Sequence, residues 1–295
     1  MEDSRWLKLP LSRLQPIFNT LLELYDDQPL DRDGLLKLPN IRSQEINDLA
    51  LEATGLAWET DAVTGERGER MRAFDGIESI NPPTNLQATL RPYQQQGLSW
   101  LNYLREMDFG GILADDMGLG KTLQTLALLL NEKNQRPSPN PSLIVAPTSL
   151  LSNWKREAAR FTPDIQVVVL HGKDRAQHRS AARDADLVIT SYPLLVRDAE
   201  WYGHEDWHYL VLDEAQTIKN PRSKAARELR KLPSRHRLCL TGTPMENHLD
   251  ELWSLIEFLV PGLLGDHKSF QKTFRAPIEK QGNTARREAL GKRIK

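Results

Sequence analysis

The stretch GGILADDMGLGKTLQTLALLL, residues 110–130, decides the fold. Residues 111–114 form an apolar run of strand length, the next six concentrate Gly and Asp, and apolar side chains return in a helical run over 123–130. A strand, a Gly-rich turn and a helix in that order form a phosphate-binding loop. Gly118 and Gly120 lack a Cβ, so the backbone there can curl until several N–H groups face one anion. The helix that follows directs its positive end at the same point. Asp116, Met117, Gly118, Leu119, Gly120, Lys121 and Thr122 are therefore the candidate nucleotide-binding residues, with Lys121 reaching the β- and γ-phosphates and the Thr122 hydroxyl ligating Mg²⁺. One position departs from the GxxxxGK[ST] pattern: Asp115 stands where the first glycine is expected.

A second chemical element is LVLDEAQ, residues 210–216. An apolar strand ending in Asp-Glu sets Asp213 at the carboxyl edge of a sheet, where open α/β folds bind ligands. Asp213 is the candidate for the same Mg²⁺ as Thr122, and Glu214 the candidate to orient and deprotonate an attacking water. A strand capped by an acidic pair looks the same in isolation; its pairing with a phosphate loop favours the catalytic reading. Further short apolar runs at 143–146, 165–170, 187–190, 209–212 and 238–241 alternate with helical patterns such as 150–161 and 223–232. Strands this apolar are buried on both faces, so the expected fold class is α/β, a mainly parallel sheet flanked by helices. An amphipathic helix is expected after Pro92, with Tyr93, Leu98, Leu101 and Leu104 on one face, and a surface loop over 131–141.

The 295 residues suffice for about two domains. The longest apolar runs are far too short to span a bilayer, and no basic segment followed by an apolar one opens the chain. Cys239 is the single cysteine and lies in an apolar run, which reads as a buried inert thiol in a cytoplasmic protein. A net charge of −1 conceals an asymmetry: residues 1–80 hold 9 Lys and Arg against 16 Asp and Glu, residues 81–295 hold 30 against 24. A polyanion would meet the second part. Residues 1–80 show a helical pattern over 11–25 and a second over 43–53, then a polar linker over 60–76, with no metal-ligand spacing and no repeat. Asn-Pro-Pro at 81–83 marks the boundary.

With the two chemical elements in place, LRPYQQQGLSWL, LIVAPTSLLSNWKRE, LVITSYPLL, LCLTGTPMEN and HLDELWSLIEFLVPGLLG fall in order around them. Together they resemble the first RecA-like motor lobe of the SWI/SNF-related ATPases of helicase superfamily two, which translocate on double-stranded DNA. The resemblance covers about residues 86–275. In that family Asp is common at the position of Asp115, and DEAQ is a variant of the more usual DEAH. The resemblance implies that Gln94 reads the adenine edge, and that Lys121, Thr122, Asp213 and Glu214 bind and hydrolyse ATP with Mg²⁺. It implies that Thr241, Gly242 and Thr243 couple nucleotide state to DNA, and that Pro147, Thr148, Ser149, Thr190 and Ser191 touch the phosphodiester backbone. Short hydroxyl side chains and backbone N–H groups at strand ends suit that task, since they bind phosphate without reading sequence.

Two basic stretches, residues 219–237 with eight Lys and Arg against Glu228 alone and residues 268–295 with nine against two acids, are solvated faces or phosphate-facing surfaces. The expected division is an accessory segment over 1–80, the ATP-binding lobe over 81–260, and the start of a helical protrusion over 261–295. In the family a second RecA-like lobe follows and supplies the arginines that complete the ATP site. The chain thus reads as part of a longer motor, nucleoid-associated if prokaryotic, and slow in turnover by itself. A strand-separating RNA or DNA helicase lobe and a partner-docking module without turnover are the alternatives.

Overall fold

The computed structural model describes residues 69, 74, 76–135, 140–243 and 248–294. The helical patterns over 11–25 and 43–53 and nearly all of the 60–76 linker lie outside them. Six strands form one sheet: β1 Gly111–Leu113, β2 Ser142–Ala146, β3 Val167–Val169, β4 Leu187–Ser191, β5 Trp207–Asp213 and β6 Ser234–Leu240. Their order is β1-β6-β5-β2-β4-β3, and every adjacent pair is parallel. The expected α/β class is what the molecule adopts.

The central strands are apolar throughout because both faces are covered. Tyr209 and Val211 of β5 point with Ile144, Ile189 and Leu240 into one core, closed by the helices α1 Pro92–Met107, α2 Lys121–Gln135 and α3 Leu151–Phe161. Leu210 and Leu212 point the other way, with Leu143, Val188 and Cys239, against α4 Lys224–Lys231 and α5 Leu249–Leu259. This period-2 division of a continuous apolar run is the signature of a strand buried on both sides. Cys239 is fully buried, and burial pushes its thiol pKa up, in line with an inert group.

Helix α1 starts with Pro92 in its first turn, where the missing N–H costs nothing. Leu98 and Leu101 are buried, while Tyr93 and Leu104 are partly covered. The segment before it lies along the helix: the Ile80 N–H donates to Ser99 Oγ at 3.1 Å, and Gln95 Nε2 donates to the Ile80 carbonyl.

Two boundaries differ from the expectation by four residues or more. Helix α2 runs on to Gln135, through five residues assigned above to a loop. Asn131 and Glu132 are buried there, and Lys133 Nζ donates to the Asp164 carbonyl and to Asp186 Oδ2. Glu132, Lys133 and Gln135 are good helix formers, and tertiary anchoring carries the two weak asparagines with them. Strand β6 begins at Ser234 and so contains Arg235, His236 and Arg237. Arg237 is accommodated because its guanidinium donates to Ser234 Oγ and to the carbonyls of Phe258, Arg230 and Leu232.

After α5, residues 260–294 wind through short helical turns and α6 Thr284–Ile294 around a small cluster of their own, with Leu263, Leu264, Phe270, Phe274 and Leu290 packed on Trp253. Asp250 ties this part to α5, accepting from Gln271 Nε2 at 3.1 Å and pairing with Arg275 and His267. No helix among the described residues is long and apolar enough to cross a membrane.

Candidate nucleotide-binding site

The site is built where three strands end level. In register, Leu113 of β1 faces Leu240 of β6, and Leu240 faces Asp213 of β5. The Thr241 N–H then donates to the Leu113 carbonyl at 3.2 Å. Loops leaving β1, β5 and β6 must therefore meet at one edge of the sheet, the carboxyl edge where such folds bind ligands.

The loop after β1 turns twice through left-handed backbone, at Gly118 with φ 83° and Gly120 with φ 80°. A Cβ on Gly120 would stand 2.4 Å from Gln94 Nε2, so a side chain there would displace the Gln94 amide as well as strain the backbone. Gln94, on α1, is buried; its Nε2 donates to the Leu119 carbonyl at 3.1 Å and its Oε1 accepts from the Arg91 N–H at 2.9 Å. Tyr93 adds a second donor to the Leu119 carbonyl, at 3.1 Å. The Gln94 amide is thus held between the start of its own helix and the loop.

Lys121 opens α2, and its Nζ donates to the carbonyls of Asp115 at 2.5 Å and Asp116 at 3.0 Å. Thr122 follows it, half-buried in the first turn. Asp115 is no blemish in the pattern: its Oδ2 accepts from Gln124 Nε2 at 2.9 Å, so the side chain that replaces glycine fastens the loop to α2. Met117, at the loop's tip, is 72% exposed.

Asp213 is buried, and each of its oxygens takes one donor: Oδ2 from Trp154 Nε1 at 2.7 Å, Oδ1 from the Glu214 N–H at 3.0 Å. Burial raises its pKa above the ordinary value, against the opposing pull of the Trp154 bond and of the Lys121 charge. Glu214 adopts left-handed backbone, φ 49° and ψ 55°, an uncommon conformation for a residue with a side chain. Such strain is retained where surrounding contacts hold it, and here the Tyr192 hydroxyl donates to the Asp213 carbonyl and the Thr217 hydroxyl to the Glu214 carbonyl, both at 2.8 Å.

From Glu214 a chain of hydrogen bonds crosses to β6. Gln216 Nε2 donates to Glu214 Oε2 at 2.6 Å, Thr241 Oγ1 donates to Gln216 Oε1 at 2.9 Å, and the Thr243 N–H donates to Thr241 Oγ1 at 3.1 Å. Gly242 sits beside the phosphate loop, a Cβ there falling 3.7 Å from Met117 Cγ. Among the described residues no group of three or more His, Cys, Asp or Glu is placed to hold a metal. A buried carboxylate with an offset-seeking charge and a nearby threonine is instead the sparse protein set that Mg²⁺ takes when phosphate supplies its remaining oxygens.

The proposed phosphodiester contacts separate into two groups. Thr148 and Ser149, past the end of β2, are exposed and Pro147 is half-exposed. Thr190 and Ser191, level with Val145 and Ala146 at the end of β4, are buried. The Thr190 hydroxyl donates to the Leu170 carbonyl at 3.2 Å and accepts from Tyr202 at 2.9 Å, so it faces the core.

The SNF2-related domain family matches residues 93–295. This chain belongs to the SNF2-related family. YwqA of Bacillus subtilis is 43% identical over 220 residues, 74% of this chain and 24% of its own length. The ISWI chromatin-remodeling complex ATPase ISW1 of Saccharomyces cerevisiae is 41% identical over 226 residues, 72% of this chain and 20% of its own. The solved Sulfolobus solfataricus SWI2/SNF2 ATPase core in complex with dsDNA superposes with a TM-score of 0.69 at 43% identity, covering 74% of this chain and 45% of that one. The chain thus spans about a quarter or less of the curated relatives it matches, and within them corresponds to SNF2 ATPase domain.

Three contributors to the SNF2-related site carried no chemical role in the sequence reading: Tyr93, Gln124 and Trp154. Each is a polar group at a buried or half-buried helical position. In sequence Gln124 shows as a polar letter within LQTLALLL, while Tyr93 and Trp154 read as ring positions of helices, and none of these says which atom the polar group would meet.

Proposed function

We propose that this chain is the first motor lobe of an ATP-driven translocase on double-stranded DNA, one that displaces or remodels protein–DNA complexes. The observation that carries the reading is the level ending of β1, β6 and β5, which gathers Lys121, Thr122, Asp213, Glu214 and the Thr241–Thr243 turn at one edge. Lys121 exchanges its loop carbonyls for the β- and γ-phosphates of ATP, while the N–H groups between Asp116 and Thr122 face the same oxygens. Thr122 and Asp213 would hold Mg²⁺, which supplies charge neutralisation across the phosphates. Glu214 orients the attacking water and takes its proton, and Gln94 is the candidate to read the base. The hydrogen-bond chain through Gln216 and Thr241 supports a coupling role for the TGT turn. Exposed Thr148 and Ser149, with Pro147, offer a phosphodiester strand its contacts; the N–H groups flanking Thr190 and Ser191 remain candidates, though their side chains do not. The DNA-bound state of the Sulfolobus relative supports the choice of partner.

In this reading residues 1–80 are accessory, 81–260 form the lobe, and 261–295 begin a protrusion. The motor works where the chromosome is, in the cytoplasm and nucleoid if the cell is prokaryotic. A second RecA-like lobe completes the ATP site. Lys121→Ala should weaken ATP binding by at least about tenfold in calorimetry, the loss of one charged contact to phosphate. Equal affinities for variant and parent would refute the site.

A further inference from the structure

Trp154 connects the helix that follows the exposed turn after β2 to the carboxylate at the end of β5. Its indole is 1% exposed, packed in the core with Leu151, Ala158, Ile144 and Ala146. It stands in the first turn of α3, which begins directly after the turn Thr148–Leu150 that carries exposed Thr148 and Ser149. Its Nε1–H reaches Asp213 Oδ2 at 2.7 Å, across 59 residues of sequence. An indole N–H can only donate, so this contact fixes the carboxylate one way round and leaves each oxygen a further lone pair. A phenyl ring, smaller than the indole, would keep an aromatic group there but leave a cavity and a buried oxygen without its donor.

The geometry points to Trp154 as a positioning residue that presents Asp213 to the bound divalent cation and links that carboxylate to the DNA-facing turn at Thr148 and Ser149. The inference rests on the nucleotide site proposed above. Were Trp154 only core filler, a smaller ring would cost stability through the cavity it leaves but would not change what Mg²⁺ adds to ATP affinity. A donor to a buried carboxylate is different: removing it frees the carboxylate's rotamer and desolvates one oxygen without compensation, which weakens the metal position while leaving the phosphate loop intact. A shift of α3 that follows strand engagement at its leading turn moves the donor with it.

The test is ATP affinity of the 295-residue chain, measured by calorimetry with Mg²⁺ and again with EDTA. In Trp154→Phe the metal-free affinity should stay within about twofold of the parent, while the gain that Mg²⁺ confers should fall by about tenfold, the usual cost of a lost charge-assisted hydrogen bond. Lys121→Ala should weaken both affinities, which separates a failure of the nucleotide site from a failure of Trp154. Full retention of the Mg²⁺ gain in Trp154→Phe overturns the inference. Duplex DNA should change the Mg²⁺ gain of the parent and not that of the variant; no change in the parent, or equal change in both, breaks the link to the turn. If Trp154→Phe does not fold by circular dichroism, ¹⁵N-tryptophan spectra decide instead. Asp213→Asn should move one indole N–H resonance, and spectra in which none moves overturn the contact itself.

Discussion

Gly97 and Gln124 face each other between α1 and α2, and nothing lies between them. A Cβ on Gly97 would fall 1.8 Å from Gln124 Oε1 and 3.0 Å from its Cδ, and Gln124 has no exposed side to retreat to. Gly97→Ala must therefore push the amide off Asp115, whose carbonyl holds Lys121. Alanine gains roughly 1 kcal/mol of helix propensity over glycine, so overall stability should change by no more than about 1 kcal/mol. The loss should appear instead in ATP affinity, by about threefold to tenfold, and a double cycle with Gln124→Ala should be strongly non-additive. Calorimetry beside thermal melting checks this; a large fall in melting temperature with intact affinity would contradict it. Lys121, Thr122, Asp213 and Glu214 were legible in the sequence because phosphate chemistry demands those residue types at those spacings. Gln124 and Trp154 were not: Gln124 shows only as an interruption of an apolar run, and Trp154 only as one more apolar ring whose N–H gives no sign of its partner.

All six strands were legible as apolar runs, since a strand covered on both faces has nowhere to put polar side chains. The start of β6 was hidden by Arg235, His236 and Arg237: Arg235 faces solvent, His236 is buried, and Arg237 donates to backbone carbonyls of other elements. That early start places His236 at the amino edge of the sheet, beside Asp108 Oδ1 at 3.5 Å, with the His208 ring 5.5 Å away. Glu132 lies behind them, paired with Arg105 Nε at 3.0 Å and His208 Nε2 at 3.3 Å. Burial first, then the charges of His208 and Arg235, lower the His236 pKa to about 4, while Asp108 and Glu132 pull the other way. The folded state therefore refuses a proton that the unfolded chain accepts below about 6.5. Stability should be full above that pH and fall as pH drops toward 4, by up to about 3 kcal/mol from this group. Glu132, which burial alone would raise, is held below its ordinary value by the His208 bond and by Arg105, and adds loss in the same direction. Urea melts between pH 7 and 4.5 should show this slope, and His236→Phe should flatten it.

Residues 81–295 carry 30 basic against 24 acidic groups, and in the first basic stretch exposed Arg222, Lys224, Arg227, Lys231 and Arg235 coexist with Arg230 and Arg237, which are drawn into contacts with backbone carbonyls. Only the exposed subset is open to phosphate. Duplex binding should accordingly be weak and indifferent to sequence. With about three phosphate contacts it should lose roughly 40-fold between about 50 and 200 mM salt. Flat affinity across that range in a fluorescence titration would remove backbone tracking. Turnover should be very slow in this chain with saturating DNA, since an arginine from a facing lobe is worth roughly 10³ to 10⁵ in rate, or about 4 to 7 kcal/mol. Supplying the second lobe should restore it, and Glu214→Gln should then abolish it with ATP binding intact.

The link from Glu214 to the TGT turn runs through an amide where relatives with DEAH place an imidazole. Gln216 gives one donor to Glu214 and one acceptor to Thr241, and neither role changes with proton concentration. An imidazole at that position would titrate near neutrality and could not serve both neighbours in the same way on either side of its pKa. Mild acid thus loosens the fold from the amino edge of the sheet, through His236, while the Gln216 amide at the carboxyl edge neither gains nor loses a proton. Gln216→His should place a titrating group in that link and change the pH profile of turnover near neutrality.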